Sequence, residues 1–81
     1  MKAHVCVTLK QEVLDPQGDA VRRALASMGY DEVSRVRVGK LIEIDIADGD
    51  PKEAKDRLHA MCESLLANPV IEDFQVDIHE S

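Results

Sequence analysis

The stretch from Leu65 to Asp73 constrains the fold most, because it ends a helix, turns the chain and begins a strand. Asn68 is suited to the left-handed conformation at a helix C-terminus, and Pro69 lacks the N–H that a further helical turn needs. From Val70 onward, one set of apolar residues shares even parity: Val70, Phe74, Val76 and Ile78. The polar residues Asp73, Gln75, Asp77 and His79 share odd parity. This alternation predicts a strand with one buried face.

The N-terminal part of the chain predicts a strand and then a helix. The strand is indicated by the alternating apolar residues Ala3, Val5, Val7 and Leu9. Asp15 is a typical N-cap and Pro16 a typical first helical residue, so we expect the helix to begin there and to end at Gly29. Its inward stripe is predicted to consist of Val21, Ala24, Leu25 and Met28.

The segment 33–46 allows two interpretations. Ile42, Ile44 and Ile46 share even parity with Val36 and Val38. A tight two-residue hairpin would turn the neighbouring carboxylates toward the core, which is unfavourable. A three-residue loop at residues 39–41 with a bulge, or one long strand bent at Gly39, keeps the isoleucines inside. Parity does not choose between these two.

A second helix is predicted from Asp50 and Pro51 to Ala67. Its expected inward residues are Ala54, Leu58, Met61, Leu65 and Leu66. The order strand, helix, one or two strands, helix, strand indicates an α+β two-layer sandwich. We expect an antiparallel sheet with two helices on one face, of ferredoxin-like character, formed by residues 1–81 as a single domain.

Composition excludes several classes of function. The formal net charge of −6 argues against binding to nucleic acid or to an acidic membrane surface, because both need Lys and Arg. No apolar run approaches the roughly 18 residues of a membrane span, and we expect a cytoplasmic protein. A chain of 81 residues buries only about 60–65% of its unfolded surface, so oligomerisation is a common remedy. Cys6 and Cys62 form no Cys-x-x-Cys pair and are expected to be reduced thiols.

The even-numbered face of the first strand is the first candidate site. It carries His4, Cys6, Thr8 and Lys10, a mixture that is neither plainly solvated nor plainly core. We predict that a second subunit contacts this face. A metal site completed by Cys62 or His79 is disfavoured, since the strand supplies only two ligands locally and zinc normally takes three or four.

Other candidate residues have simpler interpretations. Cys62 lies three residues after His59, but it is expected to be a small apolar filler and not a nucleophile. The lone Gly39–Lys40 pair lacks the spacing of a phosphate-binding loop. The acidic cluster Asp45, Asp48 and Asp50 lacks the pattern of a calcium-binding loop, so we interpret these residues as turn and capping residues. We therefore predict no catalytic residue and no metal site.

Four segments together resemble one family. Their order and spacing match, and so does the total length of the chain. They are Val7–Lys10, Val13–Gly18, Val36–Lys40 and Leu65–Asp73. The chain resembles PurS, the small subunit of phosphoribosylformylglycinamidine synthase in purine biosynthesis. The resemblance implies a subunit without the glutaminase nucleophile or the ATP site, and without a cofactor of its own. The complex would use ATP with magnesium, and glutamine.

The same resemblance implies partners. This chain would be a homodimer or a dimer of dimers that docks a glutaminase subunit and an ATP-dependent synthetase subunit and helps ammonia to pass between them. Arg35, Arg37 and Lys40 would then meet acidic groups on a larger partner.

Two other functional interpretations remain at this point. An ACT-like small-molecule-sensing domain is the alternative, although residues 11–16 replace its usual glycine-rich turn after the first strand. A free-standing enzyme using Cys62 ranks third, because no base and no pocket motif accompany that cysteine.

Overall fold

The computed structural model describes residues 1–79. Its elements are β1 (Lys2–Leu9), α1 (Pro16–Ser27), β2 (Gly39–Asp45), α2 (Pro51–Met61), a π-helical segment (Cys62–Leu66) and β3 (Glu72–His79). The strands form one antiparallel sheet in the order β2-β1-β3. The α+β class with an antiparallel sheet and two helices is confirmed. No helix in the described residues is long and apolar enough to cross a membrane.

The central strand β1 supplies most of the core. Ala3, Val5 and Val7 are at most 1% exposed, and Val5 pairs with Ile42 of β2 and Val76 of β3. Side chains on one strand alternate between faces, so the odd positions of β1 and the even positions of both neighbours share the inner face. The parity predicted from the sequence is therefore confirmed for all three strands.

Helix α2 packs on the inner face next to β3, but its buried stripe differs from the prediction. Leu58 and Cys62 are fully buried, whereas Met61 is 38% and Leu65 is 83% exposed. The π segment explains the shift, because the Ala67 N–H donates to the Cys62 carbonyl oxygen over 2.9 Å, five residues back. This wider turn takes up an additional residue, so Leu66 is half-buried while Leu65 faces outward.

The turn between α2 and β3 uses the side chain of Asn68. Among residues 1–79, only Gly29 has a positive φ, at 96°. Asn68 is therefore not left-handed, and the expected conformation is wrong. Instead, Asn68 Oδ1 accepts a hydrogen bond from the Val70 N–H (3.1 Å), and the Asn68 N–H donates to Glu72 Oε1 (2.7 Å). These bonds replace helical ones and direct the chain into β3, which begins at Glu72.

Residues 33–46 contain one strand and no hairpin. The chain enters β2 at Gly39 without reversing, so the loop at residues 39–41 is wrong, and the predicted long strand is regular only in its second half. Side-chain hydrogen bonds, and not strand pairing, hold the segment 33–38. The Val38 N–H donates to Asp15 Oδ2 (2.7 Å), and Arg37 donates to the carbonyl oxygens of Leu9 and Lys10.

Helix α1 packs against the segment 33–38 and not on the sheet, which corrects the expectation of two helices on one face. A Cβ atom on Gly18 would lie 2.1 Å from the Val36 carbonyl oxygen, so only glycine permits this approach. Val21 is 41% and Met28 is 70% exposed, and Leu25 is half-buried. The predicted stripe of α1 is thus largely uncovered.

The placement of α1 makes the chain elongated. Its radius of gyration is 16.0 Å and its extents are 49 × 29 × 14 Å. A compact chain of this length would have a radius of about 12 Å. The inner face at β2 also lacks a covering helix, and Ile42, Ile44 and Ile46 are only half-buried. The described residues therefore leave apolar side chains exposed on α1 and only partly covered on β2.

Replacing Leu58 with alanine tests the core described above. We expect Leu58→Ala to lower the free energy of unfolding by about 2–5 kcal/mol, because it removes a fully buried side chain and leaves a cavity. Leu65→Ala is the matched control, since Leu65 is 83% exposed in the following turn. Urea unfolding measures both. Equal losses for the two variants would contradict the observed orientation of the π segment.

Candidate functional site

The outer face of the sheet places basic side chains opposite acidic ones across the strands. His4 lies between Glu43 of β2 and Asp77 of β3, and its Nε2 is 3.5 Å from Glu43 Oε1. The His4 and His79 ring centroids are 4.9 Å apart. Lys2 lies between Asp45 and His79 in the next row. Cross-strand pairs of opposite charge stabilise a sheet face in water.

The remaining predicted residues of this face are also exposed or partly exposed. Cys6 is exposed between Leu41 and Gln75, and Thr8 is exposed one row further. Lys10 Nζ lies 3.6 Å from Asp73 Oδ1. The face thus brings His4, Cys6, Thr8 and Lys10 together as predicted from parity. Contact between this face and another subunit stays a prediction.

Within residues 1–79, no group of three or more His, Cys, Asp or Glu side chains is arranged to hold a metal ion. The acidic cluster after β2 has structural partners. Asp50 Oδ1 accepts from the Lys52 N–H (3.0 Å) and so caps α2, and Asp48 Oδ1 lies 3.0 Å from the amino group of Met1. These contacts account for Asp48 and Asp50 without a ligand.

Cys62 and His59 do not form a nucleophile and base. Cys62 is fully buried, and burial raises the pKa of its thiol, with a smaller contribution from the negative charge of Glu63. A raised pKa disfavours the reactive thiolate. The His59 ring instead contacts Phe74 edge-on, with the centroids 5.4 Å apart. The interpretation of Cys62 as a core residue fits this environment.

Arg35 and Arg37 line a groove of about 540 Å³ between α1 and residues 34–37, together with Arg22 and Arg23. Arg35 donates to Gln11 Oε1 (2.6 Å) and to the Gln11 carbonyl oxygen (3.0 Å). We call this feature, bounded by α1 and residues 11–15 and 34–37, the arginine groove. Lys40 lies outside it, in the ladder opposite Val7.

Asp15 has a second role that the sequence did not reveal. As predicted, it caps α1, since Asp15 Oδ1 accepts from the Gly18 N–H (3.0 Å). Its other oxygen accepts from Val38, 23 residues away. The hydrogen bonds from Gly18 and Val38 hold the pKa of the Asp15 carboxyl below its ordinary value of 3.8, and the charge of Arg37 adds to the effect. Periodicity carries no signal for a contact of this separation.

These features define a class of protein. The described residues form a small α+β chain with polar and apolar surfaces left open, and Cys62, the cysteine considered above as a nucleophile, is buried while the His59 ring contacts Phe74. Uncovered apolar surface of this kind is typical of chains that pack against other molecules.

Comparison with known proteins gives the family. A family model described as PurS, phosphoribosylformylglycinamidine (FGAM) synthase, matches residues 2–80. The FGAM synthase subunit PurS of Bacillus subtilis is 49% identical over 79 residues, which cover 98% of this chain and 93% of that protein. The chain belongs to the PurS family of FGAM synthase subunits. This assignment separates it from ACT-like sensor domains.

Solved structures agree with the assignment. The crystal structure of PurS from Methanocaldococcus jannaschii superposes with a TM-score of 0.87 at 38% identity, covering 99% of this chain and 96% of that one. A chain in the structure of PurLQS from Thermotoga maritima superposes with a TM-score of 0.84 at 30% identity, covering 94% and 93%. The fold is therefore that of experimentally known PurS subunits.

Asp15 variants test the link between α1 and the segment 33–38. We expect stability to decrease from wild type to Asp15→Asn and further to Asp15→Ala, because asparagine keeps one side-chain acceptor and alanine keeps none. Since the folded-state pKa of Asp15 is lowered, its contribution is present above about pH 4 and is lost as pH falls through the folded pKa. Thermal unfolding between pH 7 and pH 2 measures this.

The control is Asp31→Asn, which removes an exposed carboxylate from the turn after α1. The difference between wild type and Asp15→Asn should shrink at low pH, whereas the control should differ little from wild type throughout. A difference for Asp15→Asn that is independent of pH would contradict the role of the ionised carboxylate.

Proposed function

We propose that this chain is the non-catalytic bridging subunit of FGAM synthase. In that role it docks a glutaminase subunit and an ATP-dependent synthetase subunit in the cytoplasm and helps ammonia to pass between them. The complex converts formylglycinamide ribonucleotide to formylglycinamidine ribonucleotide. ATP with magnesium and glutamine are bound by the partner chains in this proposal.

One observation carries the proposal: a member of a ligase-subunit family leaves the apolar stripe of α1 uncovered. Exposed apolar surface of this kind marks sites of contact with other chains. The burial of Cys62 supports a role other than chemistry. The relative in the structure of PurLQS from Thermotoga maritima supports assembly with further subunits.

We further propose that the first partner is a second copy of this chain, in a homodimer or a dimer of dimers. Each copy offers an uncovered stripe on α1 (Val21, Leu25 and Met28) and an uncovered sheet face at β2. Full burial of an exposed apolar side chain contributes about 1.5–3 kcal/mol, and each stripe residue would add a part of this in proportion to its exposed fraction. A helix from one copy on the isoleucines of the other completes the layer that α1 leaves open, by an isologous contact.

Reconstitution tests the bridging role. We expect glutamine-dependent formation of formylglycinamidine ribonucleotide from the purified glutaminase and synthetase only when this chain is added. With free ammonia in place of glutamine, we expect the synthetase to work without it, because the proposed role concerns docking and ammonia transfer. Product formation with ATP measures both reactions.

A result in which the chain changes neither reaction and elutes separately from both partners would contradict the bridging role. Leu65→Ala is the control for protein quality. It changes an exposed residue outside α1 and outside the sheet core, so we expect it to support the glutamine-dependent reaction as wild type does.

Val21→Glu tests the self-association through α1. We expect it to shift the chain from a dimer or larger assembly toward the monomer, because it places a charge in the apolar contact. Ala26→Glu is the matched control, since Ala26 lies on the opposite, exposed side of the same helix. Sedimentation velocity measures the masses. Unchanged assembly of Val21→Glu would place the contact elsewhere.

A further inference from the structure

The arginine groove concentrates positive charge on an acidic chain. Four of the five arginines in the sequence line it: Arg22, Arg23, Arg35 and Arg37. The whole chain has a formal net charge of −6. This local excess attracts negatively charged groups.

Three acidic residues line the groove beside the four arginines, and two of them, Asp15 and Asp19, are already used within the chain, whereas Glu12 is exposed at the rim. Both oxygens of Asp15 accept backbone N–H groups. Asp19 Oδ1 accepts from Arg22 Nη2 (3.0 Å) and Asp19 Oδ2 accepts from Arg23 Nη1 (2.8 Å). Each of these guanidinium groups keeps further N–H donors, because an arginine has five. Asp19 therefore orients Arg22 and Arg23 and leaves some of their donors free.

Among residues 1–79, Arg35 and Arg37 form no salt bridge with a carboxylate, although the charge of Arg37 acts on Asp15. Arg35 donates to the neutral groups of Gln11, and Arg37 donates to the carbonyl oxygens of Leu9 and Lys10. Arg37 is half-buried and holds the segment 33–38, whereas Arg35 is exposed. The positive charge of Arg35 is thus available at the open side of the groove.

The groove and the apolar stripe lie on different sides of α1. At about 100° per residue, Arg23 lies about 200° around the helix axis from Val21. Gly18, which contacts the segment 33–38, lies between these two directions on the helix surface. A second copy that covers Val21 and Met28 therefore leaves the arginine groove accessible to another molecule.

We propose that the arginine groove binds a carboxylate-bearing segment of a partner subunit of the synthase. This inference rests on the proposed function and names the surface that would carry one of the two docking contacts. The planar guanidinium group binds carboxylates through two parallel hydrogen bonds, so an arginine cluster selects Asp and Glu side chains by geometry as well as by charge.

The apolar residues of the groove favour a protein segment over a small anion. Leu14 is 88% exposed at the wall of the groove, and Val13 and Val36 are half-buried beside it. A small anion would make no use of these side chains. A segment that alternates acidic and apolar residues covers both the guanidinium groups and Leu14, and interfaces of this kind have arginine and apolar anchors together.

Charge reversal at the two most accessible arginines tests the proposal. Arg23→Glu/Arg35→Glu changes exposed side chains without touching Arg37. Lys55→Glu/Arg57→Glu is the matched control, because it makes the same change in net charge on the exposed side of α2. Binding to the purified glutaminase and synthetase is titrated separately at low and at physiological salt. Circular dichroism and thermal unfolding check that each variant is folded.

We expect the groove variant to bind one of the two subunits about tenfold or more weakly, with a reduced dependence on salt. The control variant should stay within about twofold of wild type. Arg23→Lys/Arg35→Lys keeps the charge and should recover part of the affinity. If charge reversal unfolds α1 through repulsion at Asp19, Arg23→Gln/Arg35→Gln removes the charge without that repulsion, and the same weakening is expected.

The outcomes separate this proposal from the proposed function. If wild type binds the subunits and the groove variant binds both equally well, the groove proposal is overturned and the bridging role stands. If wild type binds neither subunit, the bridging role fails. Inorganic phosphate, titrated into the isolated chain, is the second arm. Submillimolar phosphate binding that the groove variant loses, with unchanged subunit affinity, would make the groove a small-anion site and overturn the proposal.

Discussion

The carboxylate of Asp15 is the contact on which the shape of this chain depends. One oxygen caps α1 and the other holds Val38, immediately before β2 begins. The start of the helix is therefore tied to the segment 33–38, and Gly18 allows the two backbones to touch. Because α1 is held against this segment, it does not lie over the sheet. The elongated shape and the open apolar surfaces both follow from this arrangement.

An incomplete core explains why such a chain functions as a subunit. A chain this short buries too little apolar surface by itself, and packing against another chain completes its apolar layer. Here α2 covers the sheet next to β3, and β2 lacks an equivalent helix. Membership of the PurS family is consistent with this physical picture, because a subunit whose surfaces are apolar on one side and basic on another can contact different partners at once.

The candidate site could be predicted only where it followed from local pattern. Strand parity placed His4 and Cys6 on one face, and the same rule marked the buried side of β1. The arginine groove was out of reach, because it joins Gln11, the first turns of α1 and Arg35 across 24 residues of sequence. The sequence identified Arg35 and Arg37 as unusual cations on an acidic chain. It gave no reason to exclude Lys40, which the structure places elsewhere.

By itself, the sequence determined the order and type of the elements. Alternation, the two Asp-Pro starts and Asn68-Pro69 specify strands and helices through interactions between near neighbours. Only the tertiary structure decided where α1 lies, that residues 33–38 are irregular, and that the π segment turns Cys62 inward and Leu65 outward. The physical reason is range: these features depend on hydrogen bonds and packing between residues far apart in sequence, such as Asp15 and Val38, which periodicity does not record.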